Sequence, residues 1–358
     1  MAVINNNNYH DEQNKQNIIK LRGILENLPS YCRTYFRAIE NYTSTRTRVG
    51  YAYDLKLFFE YLHEKNAICS KIEIKDISLD ILDKLTRIDI EEYLEFMSLY
   101  QKDGKDISNA ERGKSRKLSA LRGFYNYFCQ TEALKNNPAS LVAMPKLHEK
   151  AIVRLEPNEV AILLDQVEDG SKLTKKELVY HNKTRIRDVA LLTLLLGTGI
   201  RVSECVGLDI KDVDFENLGI KVRRKGGYET VVYFGDEVEN ALLDYLDQRN
   251  HCIPMEGHEE ALFLSLQNRR ITVRAVENLV KKYASRVTTL KKITPHKLRS
   301  TYGTTLYRES GDIYLVADVL GHKDVNTTRR HYAAQEDERK RKAAQYVQLR
   351  EQTNKYEL

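Results

Sequence analysis

Cysteine is scarce. There are five, Cys32, Cys69, Cys129, Cys205 and Cys252, odd in number and widely spaced, and no two form a CxxC pair. That pattern argues against a disulfide framework or a thiolate zinc cluster and fits a reducing compartment, with core filler as the reading for all five. No apolar run approaches membrane-spanning length. The opening MAVINNNNYHDEQNKQN has no apolar h-region, so no signal peptide is expected, and its asparagine run at 5–8 reads as a frayed lead-in. A GxxxxGK[ST] stretch is missing, which disfavours an NTP-driven enzyme. No metal-ligand cluster is visible either. The expectation is a cytoplasmic protein with no cofactor and no membrane partner.

What is present is ordinary in amount and specific in arrangement. The 358 residues suggest two domains, and 42% hydrophobic content supplies cores for both. The net charge of +6 favours a polyanionic partner without saying anything about fold. The first half reads as helical. GYAYDLKLFFEYLHEK (50–65) places Tyr53, Leu57, Phe58, Tyr61 and Leu62 at helical spacing opposite Lys56 and Glu60. RIDIEEYLEFMSLY (87–100) and GKSRKLSALRGFYNYFCQ (113–130) repeat the pattern. Asn136, Asn137, Pro138 and Pro145 break it, and the aperiodic stretch around 144–157 reads as a linker.

The second half mixes elements. TRIRDVALLTLLLGTG (184–199) reads as a buried helix ended by glycine. LGIKVRRKGGYETVVYF (218–234) alternates on both sides of Gly226-Gly227 and reads as a β-hairpin. ENALLDYLDQR and RAVENLVKKYASRV return to helix. In ITPHKLRSTYGTTLYRESG (293–311), Thr294 is the expected N-cap, Pro295 the first helical position and Gly311 the stop.

Chemistry-bearing residues fall at separated places in this half. GTGIRVSE supplies Arg201 and Glu204, and RRKGG supplies Lys225 at the hairpin tip. HKLR supplies His296 and Arg299, spaced i and i+3 on one helical face. LGHKDVNTTRRHYA (320–333) supplies His322 and Tyr332 among Arg329, Arg330 and His331. Each alone is weak: an arginine after a glycine is usually a surface residue, and a lone HxxR is usually a solvated pair.

Together and in this order they resemble the tyrosine recombinases, the integrase superfamily that includes Xer proteins, phage lambda and conjugative-transposon integrases, and Cre. The matching text is TGIRVSE, KGG in a hairpin, PHKLR, LGH and a tyrosine shortly after. STRTRVGYAYDLKLFFEYL and SRKLSALRGFYNYF resemble the two DNA-facing helices of the family's core-binding domain. The resemblance covers roughly residues 30–340, and the lead before it looks most like that of the single-recombinase Xer proteins of Gram-positive bacteria.

The resemblance implies a mainly α fold with a small β-sheet or hairpin in the catalytic domain, arranged as a two-domain C-shaped DNA clamp. The expected division is a lead segment (1–30), a helical, SAM-like core-binding domain (31–145), a linker (146–156), a catalytic domain (157–340) and a C-terminal tail (341–358). By the same resemblance Tyr332 is the nucleophile, forming a 3′-phosphotyrosine. Arg201 and Arg299 clamp the non-bridging oxygens, because guanidinium is planar, bidentate and always charged. Lys225 protonates the departing 5′ oxygen, His296 is the candidate base, His322 donates a further hydrogen bond, and Glu204 orients an Arg or His. Arg329, Arg330 and His331 read better as backbone-phosphate contacts or a solvated turn.

Ser44, Thr45, Arg46 and Arg48 on one helix and Lys114, Arg116, Lys117, Ser119 and Arg122 on another are the expected DNA contacts, being short hydroxyls and long cations. The implied partners are double-stranded DNA with an inverted repeat, a homotetramer on two duplexes, and either a septal DNA translocase or an excision factor. The implied location is cytoplasmic and nucleoid-associated. The tail, with Ala343, Ala344, Val347 and Leu349 as a modest apolar stripe, is expected to couple protomers.

Two departures stand out. Ser300 fills a place where the family often has a second histidine, and the His322-to-Tyr332 gap is ten residues where Xer proteins usually show nine. Ten is the spacing associated with phage and transposon integrases. A Xer-like chromosome-dimer resolvase is therefore the favoured role, with a mobile-element integrase as the alternative. A non-catalytic DNA-binding protein of the same fold and a type IB topoisomerase are the readings from other classes.

Overall fold

The computed structural model describes residues 9–148, 153–224, 227–322 and 325. The chain divides near residue 150 into two units. The first contains α1 (Tyr9–Leu25), α2 (Ser30–Ala38), α3 (Thr45–Lys65), α4 (Leu79–Asp83), α5 (Arg87–Phe96), a hairpin of β1 (Tyr100–Lys102) and β2 (Lys105–Ile107), and α6 (Glu111–Gln130).

Helix α3 begins where Ser44 Oγ accepts from the Thr47 amide at 3.2 Å, an N-cap. Its buried stripe runs through Ala52, Leu55, Phe58, Phe59 and Leu62. Tyr53, expected inside, is exposed, with Lys20 Nζ 5.4 Å from its ring centre. It lies about 200° of helical rotation from Leu55, which takes the inward place. From α6, Leu118, Leu121, Phe124, Tyr125 and Phe128 meet α3 in the same core. Phe124 packs edge-on against Phe128 and Tyr35, with ring centres 5.0 and 5.3 Å apart. The expected lead segment contains α1, and Leu21, Ile24 and Leu25 carry it into this core.

The helix read across 87–100 ends at Phe96, and Tyr100 opens β1 instead. Asp103 (φ 51°) and Gly104 (φ 70°) form the two-residue turn, both left-handed as a type I′ hairpin requires.

The second unit contains α7 (Pro157–Asp169), α8 (Lys175–Thr198), α9 (Val202–Gly207), β3 (Val213–Asp214), β4 (Gly219–Arg223), β5 (Glu229–Tyr233), α10 (Asp236–Asn250), α11 (Val273–Val287), α12 (Pro295–Ser310) and α13 (Ile313–Leu320). Helix α8 is central and packs against α7, α10 and α12. A capping box starts it: Thr174 Oγ1 accepts from the Glu177 amide, and the Glu177 carboxylate accepts from the Thr174 amide at 2.8 Å. Those bonds from Thr174, with Arg286 behind them, hold the Glu177 carboxyl down at about 2. Leu191, Leu192, Leu194 and Leu195 are buried almost completely, and the helix stops at Gly199, φ 63°.

Strands β3, β4 and β5 form one antiparallel sheet in that order, with Val222 opposite Thr230 and Arg223 opposite Glu229. The expected hairpin is therefore present. Helix α12 starts at Pro295 and ends at Gly311 (φ 72°) as expected, though the Thr294 side chain makes no capping bond. All five cysteines are free, and burial pushes the Cys205 thiol up, which suits core filler. Among the described residues, no helix is long and apolar enough to cross a membrane.

Candidate active site

The left-handed stop at Gly199 turns the chain so that Arg201 stands at the N-terminus of α9. The Arg201 amide donates to Glu204 Oε2 and its Nη1 to Glu204 Oε1, both at 2.8 Å. The Glu204 side chain is 4% exposed, whereas that of Arg201 is 35% exposed. The carboxylate thus fixes the guanidinium from below and leaves one edge toward solvent.

Arg299 lies one turn into α12 and is buried. Its Nη1 donates to the Gly199 carbonyl at 2.6 Å and its Nη2 to the Leu320 carbonyl. Arg201 Nη2 donates to the Gly321 carbonyl at 3.3 Å. A third arginine, Arg224, donates from Nη2 to the Val319 carbonyl at 2.7 Å. Three consecutive carbonyls at the C-terminus of α13 therefore accept from three guanidiniums that come from three different parts of the unit. The end of a helix is its negative pole, so it gathers cations there.

Gly321 continues in the left-handed region (φ 60°), and its neighbour His322 is tied back by its amide to the Ala317 carbonyl at 2.8 Å. His322 is half-buried, while His296 is exposed in the first turn of α12. The structure thus brings Arg201, Glu204, Arg299 and the Gly321-His322 turn together. His296 sits three residues before Arg299 on the same helix, exposed where Arg299 is buried. Lys225 and Tyr332 lie outside the described residues, as do Arg329, Arg330, His331 and the tail with Ala343, Ala344, Val347 and Leu349.

Burial pulls the Arg224 guanidinium down from its ordinary range; Glu204 and, more weakly, Asp318 pull it back, while Arg201 opposes them. Three guanidiniums against these two carboxylates leave an excess of positive charge. An anion with planar pairs of oxygens, such as a phosphodiester, suits this arrangement. Arg224 escaped the reading of the sequence. Its signal was there in strand parity: Ile220 and Val222 point inward, and Arg224 is two residues further on.

The residues expected to face DNA separate by what they already hold. Arg46 is exposed. Arg48 is 7% exposed and donates to Glu40 at 2.7 Å. Arg122 donates to the Ala139 and Val142 carbonyls, tying α6 to the turn after it. Arg116 grips the buried Asp54 with both terminal nitrogens, yet half of its side chain remains exposed. Lys117 lies nearby, 3.8 Å from Asp54 and bonded to Asn109. Burial pushes the Asp54 carboxyl up, and Arg116 and Lys117 pull it back. Lys114 reaches Ser98, Ser119 bonds back to the Ser115 carbonyl, and Ser44 is the cap of α3. Thr45 is held by Asn14 and Asn17 of α1.

Known proteins resemble this chain in sequence and in fold. The phage integrase family model matches residues 154–339. Tyrosine recombinase XerC of Caldanaerobacter subterraneus subsp. tengcongensis is 32% identical over 306 residues, covering 82% of this chain and 79% of that protein. Tyrosine recombinase XerS of Streptococcus agalactiae serotype III is 30% identical over 347 residues, covering 90% of this chain and 96% of that protein. Among solved structures, the XerH site-specific recombinase bound to palindromic difH substrate, a post-cleavage complex, aligns with a TM-score of 0.63 at 22% identity. That alignment covers 80% of this chain and 76% of the XerH chain, and it is a likeness of fold.

Proposed function

Because this chain belongs to the phage integrase family of tyrosine recombinases, we propose that it cuts and rejoins DNA at an inverted-repeat site through Tyr332, in a Xer-like role. It is a DNA strand-transferring site-specific recombinase. The single observation that carries the mechanism is the meeting of Arg201, Arg299 and the Gly321-His322 turn at one helix end.

The Tyr332 phenolic oxygen attacks the scissile phosphorus, and the bond to the 5′ oxygen breaks as a 3′-phosphotyrosine forms. Arg201 and Arg299 hold the non-bridging oxygens, where charge is redistributed in the transition state. Lys225 gives a proton to the departing 5′ oxygen, and His296 takes the tyrosine proton. His322 donates a hydrogen bond to the phosphate, and Glu204 keeps Arg201 in place. One phosphodiester is exchanged for another, so no nucleotide is required for the reverse step. In the first unit, the exposed Arg46 and the exposed edge of Arg116 are the strongest candidates for backbone contact.

The alignment with XerS over nearly the whole of both chains supports a Xer-like recombinase; the role we propose for it is chromosome-dimer resolution by a homotetramer on two duplexes, with a septal DNA translocase as the gating partner. The ten-residue gap between His322 and Tyr332 favours the second reading, a mobile-element integrase served by an excision factor. Deletion of the gene separates them: chained, undivided nucleoids support the first role, and normal division with loss of an element's excised circular form supports the second.

A nicked suicide substrate carrying a palindromic site from the source genome tests the chemistry. Wild-type protein is expected to give a DNA-linked band on a denaturing gel, and Tyr332→Phe none. Binding by both proteins with a band from neither would overturn the proposal.

A further inference from the structure

We propose that Arg224 is a positioning residue that acts through Lys225, by locking the neck of the β4–β5 hairpin onto the end of α13. The inference rests on the reading that Lys225 takes part in cleavage.

Arg224 is fixed at both its backbone and its side chain. Its amide donates to the Tyr228 carbonyl at 2.7 Å, and its carbonyl accepts from the Gly227 amide at 3.1 Å, so it closes the base of the hairpin tip. Its side chain leaves the sheet on the buried face and reaches Val319 on α13. There it lies against Gly321: a Cβ on that glycine would sit 2.2 Å from Nη1 and 2.7 Å from Cζ. Only a residue without a side chain leaves room for the guanidinium.

Nη1 is buried and, among the described residues, has no hydrogen-bond partner. A buried donor without an acceptor is costly, and what offsets it is the fit against the glycine, the bond to Val319 and the attraction of Glu204 and Asp318. The consequence is geometric. Lys225 is one residue beyond the tie on the hairpin, and His322 is one residue beyond Gly321 on the other side. A single side chain therefore fixes the neck of the hairpin, at Arg224, relative to the turn that Arg201 and Arg299 also grip. Loss of that tie leaves both groups present but frees the neck that precedes Lys225, and a misplacement of a catalytic group by about 1 Å costs roughly 10²-fold in rate.

The test is a double-mutant cycle in the full-length chain, read as single-turnover cleavage of the suicide substrate. The variants are Arg224→Met, which keeps the apolar stem, Lys225→Ala and the double variant. Arg224→Met is expected to slow cleavage about 10–100-fold in the wild-type background and less than about twofold when Lys225 is already alanine, by the non-additivity of coupled residues. DNA affinity should fall far less than the cleavage rate, by no more than the loss of one or two cations near a phosphate explains, and Arg224→Lys should recover part of the loss. An equal loss in both backgrounds, or no loss in the wild type, would overturn the proposal. A substrate with a 5′-bridging phosphorothiolate separates the underlying reading. Its leaving group needs no proton, so it should rescue Lys225→Ala. Failure of that rescue removes Lys225 as proton donor, while the cycle still decides whether Arg224 works through it.

Discussion

Replacing Gly199 with alanine should damage the second unit in two ways. The residue is left-handed at φ 63°, where a Cβ costs about 1–2 kcal/mol. The new Cβ would also sit 2.3 Å from Cδ1 of Tyr302 and 3.0 Å from its neighbouring ring carbons. The ring belongs to α12, which packs on α8, so it cannot swing away without loosening that contact. Overpacking of this kind costs about 1–3 kcal/mol. The sum is about 2–5 kcal/mol, or roughly 4–20 °C in the melting of a unit of this size. Calorimetry of the full chain reads it directly. The Gly199 carbonyl also accepts from Arg299, so cleavage below the melting range should fall as well. Gly23→Ala is the control of opposite sign. It lies inside α1 with no described residue within 4 Å of its Cβ, and alanine there should stabilise the first unit by about 0.4–1 kcal/mol. A Gly199→Ala protein that melts within about 0.5 kcal/mol of wild type, the range of a neutral surface change, would refute the reasoning.

Other outcomes follow from the same contacts. Arg299→Ala should lower single-turnover cleavage about 10²–10³-fold while leaving DNA binding intact, since a preorganised donor is lost from the transition state. Arg46→Ala should reduce the salt dependence of DNA binding by about one ion and leave stability unchanged. Arg48→Ala and Arg122→Ala should do the reverse, because their guanidiniums hold Glu40 and the 139 and 142 carbonyls. His181 is buried beside Tyr283 and near Lys282; burial first, and then Lys282, keeps its folded pKa below the ordinary value, with Asp188 opposing. The unfolded chain binds that proton more readily, so this contribution to stability is present above about pH 6.5 and is lost as pH falls below it. Urea titrations from pH 8 to 5 should show the fall, and His181→Gln should flatten it.

The long helices were legible because each carries both a period and a punctuation mark. In α8 the leucine run meets Gly199, and in α12 Pro295 and Gly311 bracket the pattern. The β4–β5 hairpin was legible from alternation around two glycines. The β1–β2 hairpin was not: its strands have three residues each and little apolar content, so only Asp103-Gly104 marked it. Tyr53 misled because its chemistry suits a core, while its phase on α3 faces outward. At the candidate site, motif and order identified Arg201, Glu204, Arg299 and His322 as candidates. They could not show that a helix end gathers the arginines, since Leu320 lies 21 residues from Arg299 and 119 from Arg201. Arg48 and Arg122 looked like any other cation at a helix start, because the groups they hold lie in separate turns of the chain.

The central claim is that Tyr332 becomes joined to DNA, and mapping the joined residue tests it most directly. The trapped complex would be digested with nuclease and trypsin, and the modified peptide sequenced by mass spectrometry. The account predicts a nucleotide on Tyr332, in the tryptic peptide 331–339. A nucleotide on Tyr346 or any other residue would contradict it, as would DNA bound at the site with no covalent adduct.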